Sequence, residues 1–170
     1  GRTAEAIPQF EEALRVRPNR ATTRENLGRA LQAQGAVVAA QGDWREAAAL
    51  FARAVALLPD SIAAQSGLAV ALVNSDRLEA AVPVFQAALR LDPKSAELHD
   101  NFGQVLNALG RKREALEHMD EAARLRLGAA RGGPAPGRKI TAAVPAPRRA
   151  PVRRATGCTR PARGQDSSTR

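Results

Sequence analysis

Residues 62–95, IAAQSGLAVALVNSDRLEAAVPVFQAALRLDPKS, carry the pattern from which the fold follows. Leu68, Ala69 and Leu72 fall at i, i+1 and i+4, one apolar stripe on a helix. Ala81, Phe85 and Ala88 fall at i, i+4 and i+7, a matching stripe on a second helix. The alanines let two helix backbones approach closely, and the phenyl ring fills the space beside them. Pro93 then punctuates the end, because a proline cannot continue a helix. One such pair leaves an apolar face bare, so neighbouring pairs must stack to cover it.

Working outward, the pattern recurs on both sides. Before it stand Leu27, Gly28, Leu31, Gly35, Ala47, Phe51, Ala54 and Pro59; after it, Phe102, Gly103, Leu106, Gly110, Ala115, Met119 and Ala122. A half unit, Gly1, Ala6, Phe10, Ala13 and Pro18, opens the chain. Recurrence near 34 residues is the signature of a solenoid of antiparallel helix pairs. The expected class is all-α, with seven helices at about 2–16, 21–41, 44–57, 62–74, 77–90, 96–109 and 112–126. The expected core is Phe10, Leu14, Leu27, Leu31, Trp44, Leu50, Phe51, Leu57, Leu68, Leu72, Val84, Phe85, Leu89, Phe102, Leu106, Leu116 and Leu125. Pro8 and Pro83 sit inside their helices, where each removes one backbone hydrogen bond.

This spacing resembles the tetratricopeptide repeat (TPR) family over residues 1–127, as a half repeat 1–20 and repeats 21–61, 62–95 and 96–127. The resemblance implies a right-handed α-solenoid whose first helices line a concave groove. It also implies a protein-interaction scaffold that binds an extended peptide or a partner subunit in that groove.

Three departures stand out. Asp76 occupies the turn place held by Gly35 and Gly110. Asp76 with Glu79, like Asp43 with Glu46, has the spacing of a capping box. Leu127 stands where a proline is expected. The unit 21–61 carries a seven-residue excess around 36–42, AVVAAQG. Seven residues are about two helical turns, so a helix lengthened by roughly 10 Å would keep its face in register. A bulged turn between Gly35 and Gly42 is the alternative. Helix-forming Ala and Gln favour the long helix, and Gly35 opposes it.

Beyond residue 127 the composition changes. Residues 128–170 hold six prolines, six glycines and no aromatic residue, too little apolar surface to offset chain entropy, so a disordered tail is expected. Residues 1–127 balance 16 Lys+Arg against 16 Asp+Glu, whereas the tail carries 10 Lys+Arg and one acid, Asp166. The whole basic excess therefore belongs to the tail. Arg148, Arg149, Arg153 and Arg154 are its candidate contacts to nucleic acid or an acidic surface, with no aromatic residue for base stacking.

Chemistry is sparse. His99 and His118 lie on different helices with no Cys or His at metal-ligand spacing, and phosphate-loop, nucleophile-elbow and zincin motifs are missing. These residues are expected to be non-enzymatic and to need no cofactor. Cys158 is the single cysteine, so no internal disulfide forms. Without an apolar run near 18 residues or a leader pattern, a cytoplasmic location is favoured. The missing initial Met and the opening half unit suggest a piece of a longer array with uncapped ends, open to self-association.

The candidate groove residues are Asn26, Arg29, Gln65, Asn74, Asn101, Gln104 and Asn107, with Glu25 and Gln32 on the same face. In the resembled family, O-GlcNAc transferases carry an asparagine ladder that holds a peptide backbone. Here Asn26, Gly67 and Asn101 occupy that place, so the middle rung is missing. A substrate-presenting repeat region of a larger enzyme is thus the alternative function. The family's carboxylate clamp is not carried over, because Glu25, Ser66 and Asp100 stand at one of its places.

Overall fold

The computed structural model describes residues 2–131. Seven helices follow one another: α1 (Arg2–Val16), α2 (Ala21–Ala40), α3 (Trp44–Leu57), α4 (Ile62–Asn74), α5 (Leu78–Leu91), α6 (Ala96–Ala108) and α7 (Lys112–Arg131). Each packs on its chain neighbours, and α2 also touches α4. The first helices of these two pairs therefore lie side by side, as in a solenoid. Both α1 and α5 remain continuous through Pro8 and Pro83.

Alanine builds the core as much as the large residues do. Ala47, Ala54, Ala64, Ala69, Ala71, Ala81, Ala88 and Ala122 are fully buried. One cluster runs from Val38 and Phe51 through Leu72 and Phe85 to Phe102 and Leu106. A second joins Leu27, Leu31, Ala54 and Ala64 to Ile7, Phe10 and Leu14 of α1. Phe85 and Phe102 stack with ring centres 5.5 Å apart, which ties α5 to α6.

The α2–α3, α4–α5 and α6–α7 turns share one geometry. Gly42, Asp76 and Gly110 take φ of 88°, 62° and 79°, the left-handed region. The amide of each donates three residues back, to Ala39, Val73 and Asn107; the next amide donates five back, to Val38, Leu72 and Leu106. This is the Schellman closure of a helix. Asp76 is therefore a turn residue and not the expected cap of α5. The residue before α5 is Arg77, whose side chain makes no capping bond. Asp43 does cap α3, accepting from the Glu46 amide at 3.2 Å.

The same turns settle the long unit. The excess seven residues lie within α2, which runs 20 residues unbroken where α4 and α6 have 13. The turn glycine is Gly42, so Gly35 is displaced from the place expected for it. Counted back from the turn, Gly35 stands where Ala69 and Gly103 stand in α4 and α6. A Cβ on Gly35 would meet the Phe51 ring at 3.2 Å, much as one on Gly103 would meet Met119 at 2.9 Å. Gly28, one heptad earlier, would meet Leu58 at 2.6 Å. The insertion thus repeats the small-residue place two turns along the same face.

Two expectations at the C-terminal end are corrected. Leu116 is 62% exposed and not core. In the preceding units the matching residue Ala48 belongs to the core cluster and Val82 packs against it, whereas among the described residues no pair follows α7. The helix α7 also runs through Leu127 to Arg131, beyond the expected end near 126. Leucine keeps the N–H that proline would lack, so nothing stops the helix there. The remainder of the predicted tail lies outside the described residues.

Candidate protein-binding face

The first helices α4 and α6 open on serine caps. Ser61 accepts from the Ala64 amide at 3.2 Å and Ser95 from the Leu98 amide at 3.3 Å, each satisfying an amide that the first turn leaves unpaired. Ser61 also donates to Gln32 of α2 at 3.0 Å, so the cap of one pair is bonded to the first helix of the pair before it. Neither serine belongs to the apolar stripes that mark the helices, although each follows the punctuating Pro by two residues.

Two side chains at one place in successive units reach back to the punctuating proline. Gln65 Nε2 donates to the Pro59 carbonyl at 3.1 Å, and His99 Nε2 lies 3.2 Å from the Pro93 carbonyl. A carbonyl only accepts, so His99 carries its proton on Nε2. These bonds pin the connection between pairs against the helix that follows.

An opening lies between α2 and the α3–α4 connection. It is a shallow cleft of about 510 Å³, lined by Glu25, Arg29 and Gln32 on one side and Leu57 to Ser61 on the other. Glu25 and Arg29 form an ion pair at 2.6 Å, one turn apart and largely solvated. Asp60 adds a second carboxylate, and Leu57, Leu58 and Pro59 form an apolar wall.

The other predicted groove residues are placed as follows. Asn26 is exposed on α2; Asn101 is half-buried and Gln104 and Asn107 exposed on α6. Gln65 is buried and committed to Pro59. Asn74 donates to the Val70 carbonyl of its own helix at 2.9 Å. Asn26 and Asn101 are not equivalent when counted from their turns, since the inserted heptad separates Asn26 from the place that Ala33 fills. At Gly67 a Cβ would lie 2.5 Å from the Phe51 ring, so no side chain fits the missing rung as the helices stand. The arginines Arg148, Arg149, Arg153 and Arg154 lie outside the described residues.

The two histidines, on different helices, come together. His99 and His118 face each other across α6 and α7 with their Nδ1 atoms 2.9 Å apart, and Phe102 packs on His118 with ring centres at 4.6 Å. Burial and the neighbouring His99 push the His118 pKa below its ordinary value, against a smaller opposing influence of Glu117 and Glu114. Among the described residues no group of three or more His, Cys, Asp or Glu could hold a metal ion. None of the described helices is long and apolar enough to cross a membrane.

Comparison with known proteins adds the following. Residues 38–100 and residues 1–60 match two family models, each described as tetratricopeptide repeat. A curated Arabidopsis thaliana protein, TPR repeat-containing thioredoxin TTL4, is 38% identical over 85 residues, half of this chain. The match spans only 12% of that protein. Among solved structures, the crystal structure of MamA superposes with a TM-score of 0.57 at 16% identity, covering 76% of this chain and 91% of that one. MamA from Desulfovibrio magneticus RS-1 gives 0.52 at 22% identity, over 75% of this chain and 68% of that one. At these identities the structural likeness establishes the fold alone.

Proposed function

The chain being a tetratricopeptide-repeat protein, we propose that it is an interaction scaffold that holds an extended peptide segment of a protein partner along the face of α2, α4 and α6. The observation that carries this is the cleft in which Glu25, Arg29 and Gln32 stand opposite Leu58, Pro59 and Asp60. It joins an apolar floor to charges of both signs, which suits a peptide of mixed character better than a bare carboxylate terminus. Amide side chains at Asn101, Gln104 and Asn107 extend the polar surface, since an amide can donate and accept to a peptide group at once. A groove of this size is expected to bind in the micromolar range, about −8 kcal/mol.

The test is a peptide-library screen on the full chain, repeated with Arg29→Ala and Gln32→Ala. The expected result is a set of retained peptides whose binding weakens at least several-fold in both variants. If no peptide is retained, or binding is indifferent to both substitutions, the proposal fails.

A second reading is that the repeats serve as the accessory, partner-presenting region of a larger enzyme. It is supported by the plant relative, whose name joins such repeats to a thioredoxin and of which the match is a small part. Its asparagine-ladder version is weakened by Phe51 at the Gly67 rung. Sequencing the complete transcript tests it: a reading frame with no catalytic domain removes it.

A further inference from the structure

The histidine pair is a titratable cluster that the binding face does not use. The ring centres of His99 and His118 are 5.1 Å apart, more than the 2.9 Å nitrogen separation by about one ring's width. The two Nδ1 atoms therefore lie close to the line between ring centres, the geometry of an N–H···N hydrogen bond rather than of two lone pairs converging on a metal. Because His99 Nε2–H is committed to the Pro93 carbonyl, neutral His99 offers only a lone pair at Nδ1, and His118 Nδ1–H donates. One added proton can be accommodated. A protonated His99 donates from both nitrogens, to Pro93 and to a His118 whose tautomer has switched. A second proton leaves two N–H groups facing each other with no acceptor.

We propose that His99 and His118 form a proton-sensitive latch that clamps α7 to α6 while the pair holds at most one added proton, and that frees the terminal hairpin when both rings are charged. The surroundings decide how easily the second proton enters. From α7, Glu114 and Glu117 favour the charged form of His118, and Glu114 is itself engaged by Arg111 at 2.5 Å. On α6, Asp100 follows His99 in sequence and is paired with Arg126 at 3.0 Å. In the connection from α5, Asp92 and Lys94 flank Pro93, and α5 itself places Phe85 behind Phe102. The apolar packing of Phe102 withholds water from His118 and so opposes its charging.

A histidine held below its ordinary pKa in the fold takes up its proton more readily in the opened state. The opened state therefore binds more protons, and stability rises with pH over that window. The latch is at full strength above about pH 6.5 and weakens as the pH falls below it.

The test is hydrogen exchange on the full chain between pH 7.5 and 5, corrected for the intrinsic pH dependence of exchange, with His118→Gln and His99→Gln alongside. The expected result is acid-enhanced opening confined to residues 96–131, up to about tenfold for each pKa unit by which His118 is held down. His118→Gln should abolish that acid enhancement, and His99→Gln should reduce it to the part that burial of His118 against Phe102 supplies. Imidazole resonances in NMR should titrate as two coupled steps in the wild type and as a single step in either variant. Acid-enhanced opening spread evenly over α1–α7, persisting in His118→Gln, or undiminished in His99→Gln, would overturn the proposal, as would two histidines that titrate independently.

Discussion

Asp76 shows what a turn demands of one residue. The left-handed φ of 62° costs an L side chain free energy that Gly42 and Gly110 avoid in the equivalent turns. Asp76→Gly should therefore raise stability by about 0.5–1 kcal/mol, read as a higher urea midpoint with an unchanged slope. Gly67 makes the opposite case. Gly67→Asn, which would supply the missing asparagine, drives a Cβ to 2.5 Å from the Phe51 ring. Displacing that buried ring should cost about 1–3 kcal/mol by the same measurement. Phe85 of α5, 1% exposed, is the largest fully buried side chain among the described residues, and Phe85→Ala should cost about 3–5 kcal/mol.

Helices in this chain are bounded by their ends and positioned by their small residues. Pro18, Pro59 and Pro93 lie just beyond the second helices, and Ser61 and Ser95 open the next first helices. Ser95→Ala should destabilise by about 1 kcal/mol, because the Leu98 amide loses its acceptor. The long helix α2 allows a sharper experiment. Deleting residues 36–42 joins Gly35 directly to Asp43 and restores the common repeat length. Gly35 is then expected to become the turn residue and Gly28 to take its place against Phe51, because the heptad returns the same face. The variant should unfold cooperatively with about two turns less helix by circular dichroism. A variant that loses cooperativity would show that the extra turns are required for α1 to dock through Ile7, Phe10 and Leu14.

Among the described residues the helix pairs form a row whose inner faces are covered and whose last face is not. Leu116 and Leu127, each 62% exposed, mark the side of α7 where a following pair would sit. Replacing both by glutamate should leave the unfolding free energy within about 0.5 kcal/mol of the wild type. Any concentration-dependent association seen by light scattering should fall. An unchanged association would place the contact elsewhere. The surface ion pairs Arg15–Glu12, Arg111–Glu114 and Arg53–Glu11 contribute little to this balance, since solvent screens exposed charges and holding two long side chains costs entropy.

Helix number, helix order and most of the core were legible in the primary structure, because a stripe at 3.6-residue spacing and a closing proline are local properties. Leu27, Leu31, Phe51, Leu68, Leu72, Phe85, Phe102 and Leu106 could be named as buried from spacing alone. The candidate face was legible only as a set of residues on the first helices. Gln65 could not be told from a groove residue, because its commitment to the Pro59 carbonyl depends on how the connection folds back. Leu116 looked like core because its neighbours in the pattern are core; whether a following pair covers it is decided by what stacks there. Gly35 and Gly42 were interchangeable as turn residues until backbone angles and the Phe51 ring separated them. The sequence by itself determined which residues form helices and which side of each is apolar, since those depend on neighbours within a turn or two. Only the tertiary structure decided which polar side chains are spent on the scaffold, and which histidines meet, because those distances are set across helices by packing.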